Sequence, residues 1–133
     1  MSKRMTKGEF QASLGALNPV GHGVLAFAND AIANDARADL LQAGFTDQDI
    51  LTYTSAELFP DLDEMIRKAS GAAGFGYEIN LMRRYLTLAG EGAGWLVVYA
   101  PEDDRIAKLT QIAQRFGAKT AVRYGRLVNE DLV

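Results

Sequence analysis

Two stretches of the chain, Gly23 to Thr54 and Gly94 to Tyr124, follow one plan: glycine, apolar strand, acidic helix start, apolar-striped helix, glycine cap, short strand. This repeat constrains the fold more than any other feature, because each copy reads as a βαβ unit. In the first copy Gly23-Val-Leu-Ala-Phe-Ala28 is too short for a helix and reads as a strand buried on both faces. Asp30 is placed to cap the next helix, Ala33, Ala36 and Leu40 form its stripe, and Gly44 sits where a left-handed cap belongs. Ile50 to Thr54, rich in β-branched and aromatic residues, is the second strand. In the second copy Trp95-Leu-Val-Val-Tyr-Ala100 leads to Pro101 at a first helical position. Glu102, Asp103 and Asp104 then suit the positive helix end, and Ile106, Leu109, Ala113 and Phe116 form the stripe. Gly117 ends that helix before a strand over Ala121 to Tyr124. Right-handed crossovers let two such units share one four-stranded antiparallel sheet with both helices on one face, an α+β ferredoxin-like plait.

The 133 residues make one domain. Thr6 and Glu9 have capping-box spacing ahead of Phe10, Leu14 and Leu17, so an N-terminal helix is expected over 6–18. The first βαβ unit follows over 21–54, a two-helix insertion between strands two and three over 55–92, the second unit over 93–128, and an acidic tail over 129–133. In the insertion Thr54 or Ser55 can cap a helix with Pro60 near its first turn. Gly71 to Gly76 separates it from a second helix carrying Ile79, Met82, Leu86 and Ala89.

Alternation in the third strand places Trp95, Val97 and Tyr99 on one face and Leu96, Val98 and Ala100 on the other, all apolar. Both faces therefore need a cover. On the second face this is either the inserted helices or a second copy of the chain, in which case Trp95, Val97 and Tyr99 form the interface of a homodimer or higher homo-oligomer.

With no cysteine and one histidine, the chain has no disulfide, no thiol nucleophile and no multi-histidine metal site. A net charge of −3 gives no general pull towards nucleic acid or anionic membranes. The basic start Met1 to Lys7 is not followed by the apolar run of a signal peptide, and no stretch is long enough to span a bilayer. A cytoplasmic protein with no membrane attachment is expected, and no cofactor is called for.

Val24-Leu-Ala-Phe-Ala-Asn29, a helix, then Leu41-Gln-Ala-Gly-Phe45 before an acidic turn and a strand, together with the glycine-rich Gly71 to Gly76, resemble small bacterial general-stress-protein domains of the heat-induced type. The resemblance covers the first half of the chain. It implies a stress-linked accessory role and carries over no catalytic residue.

His22, between Gly21 and Gly23, is the one side chain suited to acid or base work near neutral pH; the bland alternative is a turn histidine. With Tyr99 and Tyr124 it would serve a small cofactor-independent enzyme with a pocket beside Trp95. Arg83, Arg84, Arg123 and Arg126 are the candidate anion ligands, with an internal salt bridge or an exposed sheet edge as the bland alternative. Asp61, Asp63 and Glu64 lack the loop spacing of a metal site and read as dipole partners, so no metal is expected. Gly71-Ala-Ala-Gly74, with Arg67 and Lys68 upstream, has the outline of an RNA-binding GxxG loop, against which stand the order of elements and the negative charge. The leading expectation is a non-enzymatic accessory domain that self-associates and binds a protein partner or small anion. The enzyme using His22 comes second and RNA binding third.

Overall fold

A computed structural model describes residues 4–7, 20–70, 76–125 and 129–133. The strands are β1 (His22–Phe27), β2 (Ile50–Thr54), β3 (Gly94–Tyr99), β4 (Thr120–Tyr124) and β5 (Asn129–Asp131). The helices are α1 (Asp30–Gln42), α2 (Ser55–Ser70), α3 (Gly76–Gly90) and α4 (Asp103–Arg115), with a 3-10 turn over Asp47–Asp49. The protein is α+β, with one sheet in the order β2-β3-β1-β4-β5 that is antiparallel throughout. The two βαβ units interleave: β3 of the second lies between β1 and β2 of the first, and β1 lies between β3 and β4. Leu25 pairs directly with Leu96, its counterpart in the repeat, so an approximate two-fold passes between them.

The described sheet has five strands where four were expected. The acidic tail supplies the fifth, pairing Arg123 with Glu130, while the Leu132 N–H donates to the Ala121 carbonyl at 2.8 Å. Only Leu132 of this segment packs against the core; the strand itself lies on an exposed edge, so its composition carries no apolar signal. The expected helix over 6–18, residues 6 and 7 apart, and the Gly71 to Gly74 turn lie outside the described residues.

Each sheet face carries its own apolar layer. Leu25, Phe27, Leu96, Val98 and Ala121 pack against Ala33, Ala36 and Leu40 of α1 and Leu109, Ile112 and Ala113 of α4. Val24, Ala26, Trp95, Val97 and Val122 pack against Leu58 and Leu62 of α2 and Met82, Tyr85 and Leu88 of α3. The inserted helices are thus the cover of the second face. This corrects the stacked-sheet interface at Trp95 and Val97, which are 0% and 1% exposed beneath the chain's own helices and leave no sheet face there for a second copy; Tyr99 is half-buried and tilted against His22.

The glycines that open the two repeats have steric tasks. A Cβ on Gly94 would lie 2.6 Å from the Asn29 carbonyl oxygen, so glycine is what allows the start of α1 to rest on β3. A Cβ on Gly23 would meet Leu109 Cδ2 at 2.7 Å. Three local expectations shift. Asn29, not Asp30, caps α1, its Oδ1 accepting the Ile32 N–H at 2.9 Å. Pro101 lies ahead of α4, which starts at Asp103 with Glu102 as the flanking residue. Pro60 sits inside α2, beyond the first turn where a missing N–H costs nothing. Among the described residues no helix is long and apolar enough to cross a membrane.

Candidate functional site

Several polar groups meet where β1 begins and β3 ends, and residues 4–7 run from that end towards Tyr53 at the close of β2. His22 pairs with Tyr99 in the sheet, and their rings are tilted against each other with centroids 5.0 Å apart. The histidine is 1% exposed. Its Nδ1 is 3.1 Å from the Val20 carbonyl, and its Nε2 accepts the Met5 N–H at 3.1 Å. A nitrogen that accepts cannot carry the proton, so the ring is neutral with hydrogen on Nδ1. Both nitrogens are therefore committed to backbone groups.

Beside it, the 3-10 turn presents Asp49, a 4% exposed carboxylate. Asp49 Oδ2 accepts the Thr46 N–H at 2.9 Å, which closes the turn. Its charge is met from two distant parts of the chain: Arg4 Nε lies 3.0 Å from Oδ1, and Arg105 Nη1, from the first turn of α4, lies 3.4 Å from Oδ2. Arg4 also donates to Gln48 Oε1 at 3.0 Å. The guanidiniums rest on aromatic faces, Arg4 5.8 Å from the Tyr99 centroid and Arg105 5.0 Å from that of Phe45. Two cations meet one buried anion, and their side chains stay partly exposed, at 43% and 34%.

Lys7 ties the same segment to β2 and α2. Its Nζ is 2.9 Å from Glu57 Oε2 and 4.7 Å from the Tyr53 ring centroid, while its carbonyl accepts the Tyr53 hydroxyl at 3.0 Å. Thr54 and Glu57 form a reciprocal box at the start of α2: Glu57 N–H donates to Thr54 Oγ1 at 3.2 Å and Thr54 N–H to Glu57 Oε1 at 2.9 Å. That backbone donor, followed by Lys7, holds the Glu57 carboxyl below its ordinary value. Burial, reinforced by the Glu57 charge, pushes the Tyr53 phenol up.

Among the described residues, the arginines of α3 and Arg123, expected to bind an anion, are not brought together. Arg83 and Arg84 are exposed on α3, and Arg84 Nη2 donates to the Lys119 carbonyl at 2.5 Å. Arg123 shares the opposite sheet face with its pairing partner Gly23 and binds Asp103 Oδ1 of α4 at 3.1 Å, the internal salt bridge that was its alternative reading. Arg126 lies outside the described residues. Tyr124 does not face His22's ring nitrogens in any described bond; its hydroxyl is buried 2.9 Å from that of Tyr85. Asp63 pairs with Arg67 one helical turn on, and the described residues contain no metal-ligand cluster. Sequence reasoning missed Arg4, Asp49 and Arg105. The available signal was Asp49 closing a capping box with Thr46 in a turn otherwise exposed to water. No family model, curated protein or solved structure matches the chain.

Proposed function

We propose that the protein is a non-enzymatic cytoplasmic accessory domain, a ferredoxin-like plait extended by β5, that binds a small monocarboxylate between Arg4 and Arg105. The observation that carries this reading is the pair of guanidiniums sharing the one buried carboxylate of Asp49 from side chains that stay partly exposed. Two positive charges less one buried negative charge leave a single positive charge, and Asp104 stands next to Arg105 in the chain. A singly charged ligand fits that balance better than a phosphate dianion. The enzymatic alternative needs His22 as its base, and both of its nitrogens serve the backbone. The resemblance of the first half to stress-protein domains points in the same accessory direction.

The test is an NMR titration of the Arg4 and Arg105 side-chain N–H signals with benzoate and, separately, inorganic phosphate. Saturable shifts with benzoate, weaker with phosphate and lost in Arg105→Gln, are expected. Shifts that do not saturate, or that persist in Arg105→Gln, refute the site.

A further inference from the structure

We infer that residues 4–7 are an acid-releasable strap: protonation of His22 at Nε2 frees Met5, and with it Arg4, so the carboxylate site exists only while His22 is neutral. The link to ligand affinity rests on the monocarboxylate reading above; the strap itself rests on geometry alone.

Arg4 supplies half of the site, and the next residue is seated on the chain's one imidazole. A proton on Nε2 sets donor against donor at the Met5 N–H, in a ring with almost no access to water. Tyr99 of β3 lies against the ring, and Tyr124 of β4, bonded to Tyr85 of α3, stands on the neighbouring strand. The strap brings two cations, Arg4 and Lys7, and α4 brings a third, Arg105. The carboxylates, Asp49 from the 3-10 turn and Glu57 from α2, are engaged by those cations and by the Thr46 and Thr54 N–H groups. Glu57, held below its ordinary value, stays charged as His22 titrates, so the Lys7 tether is not the one that lets go.

The sign follows from which state takes the proton. The strapped state excludes it, and a released, solvated imidazole accepts it at about pH 6.5. The strap is therefore fully held above that value and weakens below it, by at most about tenfold per pH unit for one proton. Simple charge screening predicts no such single-proton step.

The experiment follows the full chain by NMR from pH 7.5 to 5, recording amide protection at Met5 and Val97, the His22 ring carbons and benzoate affinity. Expected is a loss of Met5 protection whose midpoint matches the His22 titration, with Val97 still protected and benzoate affinity falling alongside. In His22→Gln, whose amide oxygen accepts the Met5 N–H without titrating, strap and affinity should be flat over that range. The inference is overturned if Met5 and Val97 open together, if Met5 opens at a pH unrelated to the His22 titration, or if the glutamine variant follows the wild-type profile. The ring-carbon comparison needs no variant and decides the matter even if His22→Gln does not fold. Benzoate failing to bind at any pH, with Met5 opening on the His22 titration, supports the strap and removes the carboxylate reading.

Discussion

Gly94→Ala is the sharpest single test of how the two repeats are joined. The added methyl would sit 2.6 Å from the Asn29 carbonyl oxygen and 2.8 Å from Asp30 Cα, where 3.4 Å begins ordinary contact. These are backbone atoms at the cap of α1, so the gap opens only if the helix start lifts from β3 by close to an ångström. Such overpacking costs about 1–3 kcal/mol, occasionally more. Replacing glycine in a strand returns roughly 0.5–1 kcal/mol. Because rigid backbone must move, the upper part of the range applies, and a net loss of about 2–3 kcal/mol is expected. For a domain of this size that lowers Tm by roughly 6–11 °C in a thermal melt followed by circular dichroism. Gly23→Ala is the internal control. Its methyl meets only the tip of the Leu109 side chain, which can rotate away, so its loss should stay within about 1 kcal/mol. If Gly94→Ala melts within about 3 °C of wild type, or Gly23→Ala costs more, the close approach of α1 to β3 is wrong.

Ser55→Ala removes the acceptor of the Trp95 indole N–H, 3.0 Å away, and should cost about 1–3 kcal/mol in denaturant titration while shifting the emission of the sole tryptophan; unchanged emission would contradict that bond. His22→Ala deletes a buried ring and two backbone hydrogen bonds, with an expected loss of about 2–4 kcal/mol in the same assay, and a loss under 1 kcal/mol would return His22 to the role of an idle turn residue. Tyr53 has a raised phenol in the fold, so its contribution is complete below the unfolded value of 10.0 and is lost as pH climbs above it. Tyr53→Phe should flatten the alkaline fall in stability. Glu57 has a lowered carboxyl, so its contribution is present above the unfolded value of 4.5 and disappears as pH falls below it. Glu57→Gln should be less stable than wild type at pH 7 and converge with it at pH 3; a constant gap would assign the effect to packing.

The strands and helices of the repeats were legible because their signals are local: a six-residue apolar run such as Trp95–Ala100 reads as buried strand from its own residues. What covers the second sheet face was not, since alternation shows that Trp95 and Val97 need a cover and is silent on which one. Asn29 and Asp30 are equally good caps, and only the lie of α1 on Gly94 selects between them. The polar cluster was hidden for a different reason. Asp49 reads as a turn residue until Arg4 and Arg105 arrive from opposite ends of the chain, and His22 looks available until Met5 reaches its Nε2. Contacts between remote segments leave no period in the sequence. The edge strand Asn129–Asp131 has the composition of a tail because an edge needs hydrogen bonds more than apolar side chains.

The interleaving of the two units bears on how the chain is made. β1 and β2 do not pair; their shared neighbour is β3, and Gly94 lies 40 positions beyond Thr54. At a synthesis rate of roughly 5–20 residues per second, β1, α1 and β2 wait about 2–8 s in the cell with no strand to pair with. Val24 to Phe27, wholly buried in the finished fold, lack both strand partners, β3 and β4, throughout that interval. A chain stopped after Gly92 should therefore show helix without sheet and bind molecular chaperones, while one stopped after Tyr124 should not.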